Sequence, residues 1–261
     1  MKRAAVIAAA WVCSLGYADT LTLIGTAGEW HDLKAWDAGR VPTQADDVVI
    51  PAGATCTVEP LGLAACRTFD VAGVLVLDRE TLVLGSDDPN MDVDCWVDGR
   101  VEMKDDYALT PPARMVPDGG WVWFRGTGEI YASRASGEEY QGRLRCCAVT
   151  GYGPCDAHSG KGFGIAAGMT VRGSIHLHAC LILDGEWVVD YSEDVSSIGV
   201  PPGTLCGGAC TVPLTLAGTG QFVVSAGQLE IGRLDVQGKA PRVVQYGGTV
   251  TTETTLKARF K

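Results

Sequence analysis

The sequence predicts an all-β protein built as a single-stranded parallel β-helix, a β-solenoid with an N-terminal cap and long disulfide-containing loops. Three observations predict it. Glycine supplies 34 of the 261 residues, nearly twice the usual ~7%, which implies many tight turns. Helical periodicity is almost absent after residue 19. A glycine followed by alternating apolar positions recurs instead, as Gly73-Val-Leu-Val-Leu, Gly99-Arg-Val-Glu-Met, Gly128-Glu-Ile-Tyr-Ala, Gly173-Ser-Ile-His-Leu, Gly220-Gln-Phe-Val-Val and Gly232-Arg-Leu-Asp-Val. Each block reads as a strand entered through a turn. Their spacings of 26, 29, 45, 47 and 12 residues suit coils of roughly 20 to 30 residues with insertions on some turns. A two-sheet β-sandwich with long loops is the competing architecture.

The first residues set the expected compartment. Lys2 and Arg3 precede an apolar run over residues 4–16 that is too short to span a bilayer. Gly16-Tyr17-Ala18 places small residues three before and one before a cut after Ala18, so residues 1–18 read as a secretory signal. Residues 19–261 then form a single domain, with 19–60 as cap and first coil. Loss of Lys2 and Arg3 moves the net charge from -10 to -12. With no Lys/Arg-rich run, nucleic acid is a poor partner, and no later apolar stretch is long enough to span a membrane.

Nine cysteines follow the leader: Cys56, Cys66, Cys95, Cys146, Cys147, Cys155, Cys180, Cys206 and Cys210. In an exported chain the default is disulfides, and an odd number leaves one thiol free or bonded to another chain. Cys206-Gly-Gly-Ala-Cys210 suits a local bridge, because two glycines let the chain fold back. Cys146 and Cys147 are adjacent and disfavour each other, which makes Cys155 a partner for one of them. Three segments break the strand rhythm, 104–120, 134–162 and 192–213. They hold seven of the twelve prolines and five of the nine cysteines, and read as stapled loops that would make one binding face if they left the coil at a common corner.

Three constellations carry candidate chemistry. Trp121, Trp123 and Arg125 alternate with Val122 and Phe124, so two indoles and a guanidinium share one strand face. Such a platform stacks sugar rings while the arginine takes a carboxylate, unless a loop covers it as an outer mini-core. The acidic run from Ser86 to Gly99 offers Asp87, Asp88, Asn90, Asp92 and Asp94 for calcium, although the EF-hand spacing is absent and a solvated acidic face is the plainer reading. Its second half places Asp92, Asp94, Trp96 and Asp98 opposite Met91, Val93, Cys95 and Val97. A carboxylate pair there would also suit glycosidic bond cleavage. His176 and His178 lie with Ser174 and Cys180 opposite Ile175, Leu177, Ala179 and Leu181, and two imidazoles at that spacing suit zinc or copper. Two solvated histidines are the alternative. Neither a Gly-x-Ser-x-Gly elbow nor a His-Glu-x-x-His motif occurs, so no catalytic residue is assigned.

The segment from Trp30 to Gly53 contains Trp30, Trp36, Gly39, Val41, Pro42, Asp46, Asp47, Val48, Val49, Ile50 and Pro51, with Thr55, Thr57 and Val58 following. This pattern, W-x-x-G-x-V-P then D-D-V-V-I-P, resembles the opening of secreted and surface parallel β-helix proteins and is similar to G8-type extracellular domains. It covers about 30 residues. The resemblance implies a cap on an extracellular β-helix, with surface structure, adhesion or polysaccharide contact as roles, and it supplies no catalytic residues. The expectation is a secreted, non-catalytic structural or adhesive protein of the cell surface or matrix. The alternative is a β-helix that binds polysaccharide or degrades it as a lyase or glycoside hydrolase. Its partners would be extracellular polysaccharide or surface proteins, with an intermolecular disulfide open to the odd cysteine.

Overall fold

A computed structural model of the chain describes residues 18–86, 88, 90–104, 113–132, 142–145, 162–192, 194–199, 215–232, 234–253 and 258–260. Among these residues the structure is all-β, and the only helix is a 3-10 turn, Leu33–Ala35. Alternation of apolar and polar residues, as in Val93–Val97 and Val122–Arg125, makes short strands with one face in the core and one outside. The strands form three sheets of nine, ten and eight strands, and every ladder joining them is parallel. Sequential strands go to successive sheets. Val93–Val97 lies in the first, Arg100–Lys104 in the second and Ala113–Asp118 in the third, and the chain then returns to the first at Val122–Arg125, beside Val93–Val97. The sandwich alternative needs antiparallel neighbours, and the described strands pair in parallel throughout.

The inward residues of the three sheets meet in one cluster. Phe69, Phe124 and Phe163 stack, with centroids 6.1 and 5.7 Å apart, and Trp187 tilts against Phe222 at 6.4 Å. Each such buried side chain contributes about 1.5–3 kcal/mol. At the N-terminal end Trp30 and Trp36 are fully buried and meet edge to face at 5.4 Å, with the Trp36 indole N–H donating to the Trp30 carbonyl at 2.9 Å. Arg40 forks onto Asp46 at 2.6 and 2.7 Å and reaches Asp19 at 2.8 Å. The cap-like string of tryptophans, Arg40 and Asp46 is thus a locked unit packed on the first strands.

The glycine rhythm resolves into one corner. Gly73, Gly99, Gly128, Gly185 and Gly220 each precede a strand of the second sheet. Here the chain runs so close to its neighbour that a Cβ on Gly99 would sit 1.9 Å from the Gly73 carbonyl oxygen. Gly173 and Gly232 instead lead into the third and first sheets, at Ile175–His178 and Asp235–Val236. With Gly185 included, the spacings at this corner are 26, 29, 57 and 35 residues, and the long step passes the strand Thr170–Gly173, which Met169 precedes in place of a glycine.

The segments 104–120, 134–162 and 192–213, expected as loops, each contain a strand of the third sheet: Ala113–Asp118, Gly142–Arg145 and Val195–Ile198. Pro117 is tolerated inside its strand because Gly142–Arg145 pairs only with Ala113, Arg114 and Met115. Among the described residues the strand beyond Met115 is laddered on one side, by Thr81–Gly85. The tail forms two terminal strands, Thr249–Thr252 on the third sheet and Ala258–Phe260 on the second. No described helix is long and apolar enough to cross a membrane.

The disulfide expectation fails where it can be followed. Cys56, Cys66, Cys95 and Cys180 are free and buried, filling the core as small apolar groups. Burial pushes the Cys56 and Cys95 thiols up to about 12 and Cys66 well above its ordinary value. The bridging candidates Cys146, Cys147, Cys155, Cys206 and Cys210 lie outside the described residues.

Candidate ligand platform

Two constellations that are separate in the sequence become one surface. Strand Val93–Val97 exposes Asp94 and Trp96, and strand Val122–Arg125 turns Trp123 and Arg125 outward. The two strands pair in parallel, with Trp123 opposite Asp94 and Arg125 opposite Trp96. Since equal parity in a parallel pair means the same face, all four side chains stand together on the outside of the first sheet. Trp96 is 49% exposed, a large area of indole to leave in water. Asp70 follows on the next strand, opposite Trp96, giving a row Asp70, Trp96, Arg125 across three strands.

The platform is held from several sides. Arg125 Nε donates to Asp94 Oδ1 at 2.7 Å, and the guanidinium carbon lies 5.3 Å from the centre of the Trp123 ring. Trp121 and Trp123 tilt by 34° with centroids 6.5 Å apart. Trp121 leans on the core cluster, and its backbone N–H donates to Asp92 Oδ1 at 2.8 Å. Trp123 is seated over Gly164 of the following strand, where a Cβ would meet the ring at 2.2 Å. Trp121 and Trp123, for which a covering loop was the alternative, are both half-buried, Trp121 against the core cluster and Trp123 over Gly164.

Immediately beyond Trp96 and Arg125 both strands turn the same corner. Asp98 Oδ1 accepts from the Thr127 N–H and hydroxyl, both at 3.0 Å. A groove of about 630 Å³ runs along this corner, floored by Gly73, Gly99 and Gly128 and edged by Arg100 and Glu129. The same Asp-Gly and Gly-Thr-Gly pairing recurs at Asp184 and Thr219, at 2.8 and 2.9 Å, so this contact is a device of the fold that ties neighbouring parallel strands at their ends.

The described members of the calcium set are engaged separately. Asp88 accepts from the Asn90 N–H at 3.0 Å, Asp92 is engaged by Trp121 and Asp94 by Arg125, while Asp87 lies outside the described residues. Among the described residues no three groups converge as metal ligands. Met91, expected on the core side, precedes the strand and is 44% exposed.

The histidine strand also differs from expectation. The chain bends at Ala179, so Ile175–His178 belongs to the third sheet and Cys180–Leu183 to the first. Cys180 and Ser174 are consequently buried rather than beside the imidazoles. His176 Nδ1 hydrogen-bonds Ser197 Oγ at 2.7 Å. His178 pairs through its backbone with Arg145, and its side chain lies outside the described part. Below this strand is a buried polar network that sequence reasoning missed. Ser174 donates to Asp194 at 3.3 Å, Ser196 donates to the Gly173 carbonyl, and the Trp187 indole donates to Ser196 at 3.3 Å. Its Asp194 and Ser196 fall in a segment read as loop, which hid the signal. Set against family models, curated proteins and solved structures, the chain matches none.

Proposed function

We propose that the chain is a single-stranded parallel β-helix, exported to the cell surface or matrix, that acts as a non-catalytic adhesive protein by holding polysaccharide on Trp96, Trp121, Trp123 and Arg125. The three-sheet succession of strands supports the β-helix. The leader-like residues 1–18 and the cap string that resembles G8-type extracellular domains support the location. The observation that carries the binding role is the parallel pairing that sets exposed Trp96 beside Arg125 and Trp123. Flat indoles on a rigid sheet stack against the C–H faces of sugar rings at low entropic cost, and a solvent-facing tryptophan in a strand is otherwise a liability.

The test is co-sedimentation of the purified protein with insoluble and bead-coupled polysaccharides, with the supernatant assayed for new reducing ends. Retention without release, lost in Trp96→Ala and Trp123→Ala, supports the proposal. Release of reducing ends would replace it with a degrading enzyme. No retention on any polymer would leave the platform without a sugar ligand.

A further inference from the structure

The charges around the indoles deepen that reading, and the inference rests on it: we infer that the platform takes neutral or amine-bearing polysaccharide and discriminates against polyuronates. An arginine beside two tryptophans suggests a carboxylate ligand, yet the charge of Arg125 is already paired with Asp94. Its Nε is bonded to Asp94 at 2.7 Å and its plane lies over Trp123. A uronate could reach only the remaining Nη donors, where it would lie beside the Asp94 carboxylate that already pairs the guanidinium charge.

What remains around the rings is acidic. Asp70, opposite Trp96, is exposed and has no hydrogen bond or ion pair among the described residues. Asp92 and Asp94 flank Trp121 and Trp123, and Asp98 closes the corner two residues beyond Trp96. Four carboxylates thus stand against one guanidinium among the described residues of this face. Among the described residues the next strands add no charge to this face: Gly164 lies opposite Trp123, and Ile182 lies opposite Gly164. A sugar stacked on Trp96 meets Asp70 at the neighbouring strand position, about 5 Å away. That carboxylate accepts from a hydroxyl or, better, from an ammonium group. Because the charges are exposed, the preference is expected to be modest and salt-dependent, roughly tenfold at low salt and shrinking as the Debye length falls below the spacing.

The probes are oligomers of matched length, a neutral glucan, chitosan and a polygalacturonate, measured by calorimetry at 20 mM and 500 mM salt. The expected pattern is neutral affinity nearly independent of salt, chitosan tightest at low salt and weakening with salt, and polygalacturonate weakest at low salt. Asp70→Asn is expected to cut the advantage of chitosan over the neutral glucan roughly threefold at low salt. Polygalacturonate bound best at low salt would overturn the inference alone, leaving the platform as a sugar site. Chitosan binding that survives Trp96→Ala would overturn it too, since attraction to the net acidic chain would then be the cause. Binding of none of the three would remove the platform reading itself.

Discussion

Trp123 lies across Gly164 of the next strand so closely that one added carbon would touch its ring at 2.2 Å. The glycine is the seat of the platform. Gly164→Ala is expected to tip Trp123 away from Arg125, weaken polysaccharide binding roughly 3- to 10-fold and cost about 1–3 kcal/mol of stability. Tryptophan fluorescence and calorimetry on the folded variant check this. Unchanged binding would mean that the position of Trp123 is immaterial to the ligand.

Two glycines separate steric from conformational cost. Gly99→Ala drives a Cβ to within 1.9 Å of a backbone oxygen that has no freedom to move, whereas Gly53→Ala meets open space but must hold φ at +76°. The first is expected to destabilise by about 3 kcal/mol or more and the second by about 1–2 kcal/mol. Urea unfolding of both variants gives the order directly.

Four thiols should behave as core atoms. In the native protein at pH 8, Cys56, Cys66, Cys95 and Cys180 are expected to resist alkylation, because all four are buried and the thiolate is suppressed in the first three. In denaturant without reductant all four should react. Mass mapping that finds any of them in a disulfide-linked peptide would contradict the arrangement.

Acid should loosen the N-terminal unit first. Burial alone would raise Asp46, but hydrogen bonds and charge from Arg40, with Thr43, outweigh it and hold the carboxyl at about 2. A depressed pKa stabilises the fold above the unfolded value, near 4, and that contribution is lost as pH falls toward 2. Asp46 is 1% exposed but Arg40 is 38% exposed, so the stake is on the order of 1–2 kcal/mol. Asp46→Asn should be less stable than the parent at pH 7, with the gap narrowing by pH 2.5 in thermal melts. A constant gap would show that the carboxylate charge does not matter.

The inside–outside pattern of individual strands was readable, because period-two alternation survives in Val93–Val97 and Val122–Arg125 as burial. What lay beyond the sequence was adjacency. Trp96 and Arg125 are 29 residues apart, and only the register of two parallel strands makes them neighbours. The third sheet was hidden for a local reason: its strands at Ala113–Asp118 and Val195–Ile198 lack a leading glycine and sit among prolines that signal loops. The bend at Ala179 defeated the histidine face, since one corner residue resets which side chains point inward. Cysteines read by compartment went astray at Cys56, Cys66, Cys95 and Cys180, where packing in the core, a property of the third dimension, decides their state.

The most direct measurement is a double-mutant cycle on Trp96→Ala and Trp123→Ala, with binding of a neutral oligosaccharide read by calorimetry and folding checked by urea melts. If the two indoles form one platform, each single variant loses roughly 5-fold or more in affinity, and the double variant loses less than the product of the two. Two single variants that bind like the parent protein would contradict the account.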